Sequence, residues 1–155
     1  MSISVRSFVS ADREFVLALI PRLSGIDLPP WHDRARMDAF NRQEMQQAMD
    51  DLPDDAAILI AEDEEHTPAG FIYLTTEEDF FSGEKKGYIS DVVVAPQFEG
   101  QGVGRTLMAA AEDWTREKGY RLLSLFVFAE NERARRSYEK AGFQPEVVKY
   151  WKLIE

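Results

Sequence analysis

The sequence contains no cysteine, only two histidines and no long apolar run. The missing cysteine excludes disulfides, thiolate metal sites and a cysteine nucleophile. No apolar run approaches the roughly 20 residues that span a bilayer. The first residues also lack the basic stretch and apolar core of a secretion signal. We therefore expect a cytoplasmic protein that does not bind membranes and that folds as one domain over residues 1–155.

Positive charge is scarce and unevenly spread. The net charge is −10, which argues against nucleic-acid binding because that function needs a clustered positive surface. The first 84 residues hold 6 Lys and Arg against 18 Asp and Glu, whereas residues 85–155 hold 12 and 10. The acidic half is either a solvated surface that keeps the protein soluble or a surface that attracts a cationic substrate. On the second interpretation, the more basic half holds an anionic cofactor.

Hydrophobic periodicity predicts the element order β-α-α-β-β-β-α-β-α-β, which is typical of one α/β domain with a mixed sheet. The predicted strands are 3–9, 56–61, 71–75, 88–94, 122–128 and 146–154. The first helix follows Ser10 and ends or kinks at Pro21, since proline disrupts a helix interior. The second helix spans 33–49. The last two helices end at Gly119 and Gly142.

Three glycines at alternate positions follow the predicted strand 88–94. Gly100, Gly102 and Gly104 lack a Cβ atom and permit positive φ, so successive backbone N–H groups can converge on one anion. The helix that starts directly afterwards adds unpaired N–H groups and the positive end of its dipole. Arg105 and Thr106 add a charge and a hydroxyl. The segment therefore predicts a cradle for phosphate or pyrophosphate.

Two common phosphate motifs do not fit this segment. A P-loop requires a lysine followed by Ser or Thr at a different spacing, and a dinucleotide fingerprint requires glycine where Leu107 stands. A glycine-rich turn that only packs a strand against a helix is the remaining alternative.

The same segment resembles the acetyl-CoA motif of the GCN5-related N-acetyltransferases (GNAT). That motif is Gln/Arg-x-x-Gly-x-Gly/Ala after a strand that ends in Val-x-Pro. Here Val94-Ala-Pro96 precedes Glu99-Gly-Gln-Gly102-Val-Gly104, with Glu99 in place of the usual Gln or Arg. A second family block matches Asn131-x-x-Ala134-x-x-x-Tyr138-Glu-Lys-x-Gly142-Phe143. The resemblance is strong from residue 88 to residue 143.

The resemblance implies an α/β (α+β) fold with a mixed, mostly antiparallel sheet, flanked by helices and splayed between the fourth and fifth strands. The pantetheine arm of acetyl-CoA would enter that gap and bond the backbone of the fourth strand. The pyrophosphate would lie on the glycine loop. Asn131 would contact the pantetheine side, although it equally suits a helix N-cap. The implied cofactor-binding residues are Val92, Val93, Val94, Glu99, Gly100, Gln101, Gly102, Val103, Gly104, Arg105, Thr106 and Asn131.

The resemblance also implies that Tyr138 is the general acid that protonates the departing CoA thiolate. Considered alone, a tyrosine on an apolar helix face is a common core residue. For the general base, Asp91 is the charged candidate on the fourth strand, but strand alternation alone does not settle its direction. Tyr88, Glu77, Glu78 and a chain of waters remain alternatives.

These features together predict an N-acetyltransferase in which a primary amine attacks acetyl-CoA directly in a ternary complex. The acceptor is a small-molecule or protein amine, and the acidic half favours a cationic one. No metal is implied, and homodimers are common in the family. The alternatives are a non-catalytic module that senses acyl-CoA and an enzyme that binds another phosphate ligand in the same loop.

Overall fold

The computed structural model describes residues 2–155, which form five strands and four α-helices. The strands are β1 (Ser4–Ser7), β2 (Ala57–Glu62), β3 (Pro68–Glu78), β4 (Lys85–Val94) and β5 (Leu123–Leu125). The helices are α1 (Arg13–Leu19), α2 (Arg34–Asp50), α3 (Val103–Glu117) and α4 (Glu132–Lys140). Short 3-10 helices cover Ser10–Asp12, Ile20–Ser24 and Pro96–Phe98. No helix within residues 2–155 combines the length and the hydrophobicity that a membrane span requires.

The strands form one mixed sheet in the order β1-β2-β3-β4-β5. The first four strands pair antiparallel, and β5 pairs parallel with β4. The β4–β5 ladder runs only from Gly87 opposite Leu123 to Ile89 opposite Leu125. Beyond Ile89, β4 continues to Val94 while its ladder with β5 has ended. The predicted sheet, mostly antiparallel and splayed between the fourth and fifth strands, is therefore confirmed.

Helices cover both faces of this sheet. Val103, Leu107 and Ala111 recur at helical spacing on α3, and all three are buried against the sheet. Val16 of α1 and Met45 of α2 are completely buried in the same core. The two faces of β3 and β4 consequently meet different helices, so the face on which a side chain of β4 lies decides which helix it packs against.

Local sequence signals place most helix ends correctly. The 3-10 helix that carries Pro21 follows α1, as expected for a residue that cannot continue a helix. The side chain of Asp33 caps α2 by accepting hydrogen bonds from the N–H groups of Ala35 and Arg36. Strands β3 and β4 are longer than predicted, because the hairpin that joins them narrows to residues 79–84.

The predicted strand 146–154 is wrong. Residues 143–155 form no regular secondary structure, and Tyr150 is 88% exposed. The physical reason lies in the spacing. The apolar residues come in adjacent pairs separated by Lys149 and Lys152, so no single strand face collects them. Trp151 instead lies edge-on to Trp31, with 6.2 Å between the ring centroids.

An ion network anchors β1 to the rest of the domain. Arg6 donates to both carboxylate oxygens of Asp12 at 2.8 Å and to Glu62 at 2.8 Å. Asp12 and Glu62 are buried, whereas the side chain of Arg6 keeps 32% of its exposure. The hydrogen bonds from Arg6 hold the pKa of both carboxyl groups below their ordinary values.

Replacing Arg6 with methionine is expected to lower the free energy of unfolding by about 2–3 kcal/mol, because it leaves the buried carboxylate of Asp12 without its counterion. The control is Arg13→Met, since Arg13 pairs with Asp50 on the exposed surface and should change the stability by less than about 1 kcal/mol. Because the native pKa of Asp12 is depressed, its contribution is present above pH 3.8 and is lost as the pH falls further. Urea unfolding at pH 7 compares the two variants, and equal losses would contradict the argument.

Candidate active site

The loop between β4 and α3 has the backbone that an anion cradle requires. Gly100 has φ +76° and Gly102 has φ +84°, and no atom lies within 4 Å of where a Cβ atom would stand on either residue. Glycine is therefore required at these positions by backbone conformation and not by crowding. The open space on this side of the loop leaves the backbone accessible to a ligand.

Helix α3 begins directly at this loop. Its N-cap is Gly102, which has no side chain to satisfy the first N–H groups of the helix. The first helical hydrogen bond joins the N–H of Thr106 to the carbonyl of Gly102 at 3.0 Å, and the Thr106 hydroxyl donates to the same carbonyl at 2.9 Å. The N–H groups of Val103, Gly104 and Arg105 precede that bond. This arrangement fits a diphosphate, because the helix dipole also favours negative charge there.

Replacing Gly102 with alanine is expected to lower the free energy of unfolding by about 1 kcal/mol, because an L-residue is strained at this φ. Gly104→Ala is the matched control. Its Cβ would make an ordinary contact with Val94 at 3.8 Å, and alanine favours the helix by up to about 1 kcal/mol. Thermal unfolding of both variants measures the effects, and an equal response at the two positions would show that the loop conformation is misassigned.

Residues 92–94 of β4 have a free side in the sheet. Their partners on β3 are Gly70 to Ile72, and the ladder with β5 ends before them, at Ile89. Backbone groups on this side can therefore pair with an extended ligand, as an added strand would. The free segment leads through Pro96–Phe98 directly into the glycine loop. Strand and loop thus form one continuous backbone surface of suitable shape for the arm and the diphosphate of coenzyme A.

A β-bulge sets the direction of Asp91. Tyr73 of β3 lies opposite Asp91, and the next residue, Leu74, lies opposite Ile89, so Ser90 is an extra residue in β4. Residues that pair directly project to the same face of a sheet. Asp91 therefore shares a face with Tyr73 and Tyr88, whereas Val94 lies on the face that α3 covers.

The surroundings of Asp91 suit a base at neutral pH. Its carboxyl group is half-buried, and burial raises its pKa to about 6. Glu44 of α2 raises the same pKa through charge repulsion, and a hydrogen bond of 3.3 Å from the Ser90 hydroxyl lowers it. A general base works best when its pKa lies near the operating pH. Asp91 is therefore better suited than an ordinary surface carboxylate to act as a general base at neutral pH.

Tyr88 is less suitable as a base. Burial, with smaller contributions from Glu77 and Asp91, raises its pKa to about 12, so the phenol stays protonated at neutral pH. Its ring lies edge-on to Phe126, with 5.8 Å between the centroids. Tyr73, on the same face, also has a raised pKa, caused first by burial and then by Asp91. The two phenols lie on the same face as Asp91 and stay neutral at pH 7.

Tyr138 lies on α4 with its ring edge-on to Phe143, at 6.0 Å between the centroids. Its side chain is half-buried, and burial raises its pKa, which keeps the hydroxyl protonated. Asn131 caps the same helix, because its side-chain oxygen accepts from the N–H of Ala134 at 3.3 Å. Among residues 2–155, no hydrogen bond joins Tyr138 to Asp91 or to the glycine loop.

The acetyltransferase (GNAT) family model matches residues 23–143, which is most of the chain and includes both β4 and α4. The chain belongs to the acetyltransferase (GNAT) family. The match confirms the family that the two sequence motifs resemble. It also confirms, at the level of the family, the prediction of a GNAT-type acyltransferase.

Two curated relatives of this GNAT chain are named acetyltransferases. It is 30% identical over 115 residues to aminoglycoside N(6′)-acetyltransferase type 1 from Stenotrophomonas maltophilia, covering 72% of this chain and 74% of that protein. It is 39% identical over 90 residues to mycothiol acetyltransferase from Propionibacterium freudenreichii subsp. shermanii. That match covers 58% of this chain but only 28% of the relative.

The fold of this GNAT chain is similar to that of AAC(6′)-Iy, solved in complex with the bisubstrate analogue CoA-S-monomethyl-acetylneamine. The TM-score is 0.67 and the identity 22%, over 99% of this chain and 100% of the other. This likeness supports the fold. The roles of individual residues, the single domain over 1–155 and the absence of a metal stay predictions.

Sequence reasoning missed two side chains of the site in this GNAT chain. Glu44 acts on Asp91 from α2, 47 positions away, and no local pattern marks it. Arg22, in the 3-10 helix Ile20–Ser24, forms an ion pair with Glu99 at the start of the glycine loop. An arginine in a stretch of polar and apolar residues carries no sequence signal for such a contact.

Proposed function

We propose that the protein is an N-acetyltransferase that transfers an acetyl group from acetyl-CoA to a primary amine. The carrying observation is the continuous backbone surface of β4 and the glycine loop, where two glycines with positive φ meet an uncapped helix start. Family membership supports the same cofactor. Residues 92–94 would hold the pantetheine arm, the loop from Gly100 to Thr106 would hold the diphosphate, and Asn131 would border the arm.

In the proposed reaction, the amine nitrogen attacks the acetyl carbon directly in a ternary complex. Asp91 accepts the proton that the ammonium group must lose, and its pKa of about 6 leaves it ionised at pH 7. The nitrogen, which loses its first proton to Asp91 before the attack, loses its second to water as the carbon–sulfur bond breaks. Tyr138 donates a proton to the departing thiolate and regains one from solvent. Because burial raises the pKa of the Tyr138 phenol, its proton would be transferred to the sulfur only as the carbon–sulfur bond breaks.

The acceptor is proposed to be cationic. Glu44 and Asp91 place negative charge on the sheet face opposite α3, and the first 84 residues carry a large acidic excess. The apparent KM for the amine is expected to rise as the salt concentration rises from 0.05 to about 0.5 M, because salt screens long-range attraction. Initial rates at saturating acetyl-CoA measure this effect. A KM that does not change with salt would remove electrostatic attraction from the proposal.

The function is tested by following free thiol released from acetyl-CoA across a panel of amines. The panel should include polyamines, aminoglycosides, an amino sugar and a lysine-containing peptide, and mass spectrometry should identify the acetylated product. We expect turnover with at least one cationic amine. Tight binding of CoA in calorimetry without acetyl transfer to any amine would favour the acyl-CoA sensor. If competition binding shows that the protein prefers a nucleotide to CoA, the result would favour an enzyme that binds another phosphate ligand in the loop.

A further inference from the structure

The ion pair between Arg22 and Glu99 joins two parts of the chain that are far apart in sequence. Arg22 lies in the 3-10 helix Ile20–Ser24, and Glu99 directly precedes Gly100 in the glycine loop. The contact runs from Nη2 of Arg22 to Oε1 of Glu99. Glu99 is a carboxylate at the entrance of a backbone cradle built for an anion. Without a counterion it would repel the diphosphate that the cradle is proposed to hold.

The segment that carries Arg22 is firmly held. Ile20 is 1% exposed and Ser24 is fully buried, and the Ser24 hydroxyl donates to the carboxylate of Asp38 on α2. Arg22 lies between these two anchors, and its side chain is 38% exposed. The fold therefore presents this guanidinium at the surface from a fixed backbone position, so the arginine loses less freedom when it binds a ligand.

The guanidinium of Arg22 has N–H donors that its bond to Glu99 does not use. A guanidinium carries five N–H groups in a rigid fork, and Glu99 accepts from Nη2 alone among residues 2–155. The Nε and Nη1 groups remain for another acceptor. A fork that is already oriented by one carboxylate is well suited to phosphate oxygens, which arginine binds in the same planar geometry.

We propose that Arg22 binds the diphosphate of acetyl-CoA from outside the glycine loop, with Glu99 as the residue that orients it. This inference rests on the proposed function, because it requires coenzyme A in the loop. Glu99 places a negative charge at the start of the loop, where a positive charge would favour the diphosphate. Arg22, from a segment that is distant in sequence, supplies that positive charge. The ion pair then orients Arg22 for binding, and the 3-10 helix Ile20–Ser24 forms part of the cofactor site.

Calorimetric titration with CoA tests the proposal on the wild type, Arg22→Gln, Glu99→Gln and the double variant. We expect Arg22→Gln to raise the Kd at least tenfold and Glu99→Gln to change it by less than about threefold. In the Glu99→Gln background, loss of Arg22 should still raise the Kd at least about fivefold, because its bond to phosphate remains to be lost. Arg116→Gln, on the exposed end of α3, removes the same charge and should leave the Kd within about twofold.

A second ligand separates binding from a structural effect. Pantetheine lacks the diphosphate, so Arg22→Gln should leave its affinity unchanged, and the unfolding temperature should also stay unchanged. Equal losses for CoA and pantetheine would overturn the proposal, as would an effect of Arg22 that disappears in the Glu99→Gln background. If wild-type protein binds CoA and Arg22→Gln binds it equally well, this inference alone fails. If the wild type does not bind CoA, the proposed function fails with it.

Discussion

Replacing Asp91 with asparagine is expected to lower kcat/KM for the amine by about 100-fold at pH 7. Asparagine keeps the size of the side chain and its hydrogen bond with Ser90 but cannot accept the proton of the attacking amine. Loss of a positioned general base typically costs a factor of 100 or more. Steady-state rates of thiol release measure the change, and Asp113→Asn on the exposed side of α3 serves as the control.

The pH profile identifies the group that titrates. Because the pKa of Asp91 is about 6, kcat/KM of the wild type should rise as the pH increases through 6, and the asparagine variant should lack this limb. Glu44→Gln removes a charge that raises the same pKa, so its limb should move to lower pH. A limb that persists in Asp91→Asn would assign the base to another group or to water.

Stability should change in the opposite direction to activity. Since the native pKa of Asp91 is raised from 3.8, the folded state loses stability as the pH rises from 3.8 through 6. Asp91→Asn removes this penalty, so its free energy of unfolding at pH 7 should exceed that of the wild type by about 1–2 kcal/mol. Urea unfolding at pH 7 measures it. A variant that is less active and also less stable would mean that Asp91 is structural.

Replacing Tyr138 with phenylalanine should lower kcat at least tenfold, a loss of about 1.4 kcal/mol of transition-state stabilisation. The variant keeps the ring that packs against Phe143 and removes only the hydroxyl. Cofactor affinity should therefore stay unchanged in calorimetry, while single-turnover thiol release slows.

The tail provides the control for Tyr138. Tyr150 is almost fully exposed, so Tyr150→Phe makes the same chemical change outside the site and should leave kcat unaltered. If Tyr138→Phe retains full activity with normal CoA binding, water and not Tyr138 protonates the leaving group. If it loses affinity for CoA together with activity, the hydroxyl acts in binding.

The glycine loop could be predicted from sequence because its geometry is local. Residues with positive φ and no Cβ are a short-range property, and Gly100 and Gly102 both adopt the predicted conformation. The helix that follows is equally local, since Val103, Leu107 and Ala111 repeat at helical spacing and are buried. Local signals of this kind specify most of the backbone of the glycine loop, although Gly104 lies within α3 and does not have a positive φ.

The face of β4 that carries Asp91 could not be predicted in this way because it depends on the register of the strands. Strict alternation predicts only that the side chains of Asp91 and Ser90 lie on different faces of the sheet, without saying which is which. The bulge, in which Ser90 is the extra residue of β4, fixes the face of Asp91. Bulges follow from the pairing of two strands and have no signature in one of them. The charge interaction of Glu44 with Asp91 and the ion pair of Arg22 with Glu99 likewise depend on tertiary packing, which local sequence patterns do not reveal.

The fifth strand shows the same limit. The apolar run predicted a strand over residues 122–128, but β5 covers only Leu123–Leu125, and Phe126 is 82% exposed. Hydrophobicity alone does not reveal where the neighbouring strand diverges. Once β4 and β5 separate after Ile89, the residues that follow Leu125 have no ladder partner on β4.

The unpaired side of residues 92–94 also affects how the protein behaves when it is heated. Strand amides that meet no neighbour can pair with another polypeptide, which is a common route to aggregation on warming. A molecule seated along them would block that route and would shift the equilibrium toward the native state by mass action. Saturating coenzyme A should therefore keep heated samples clear of light-scattering particles for longer than buffer alone.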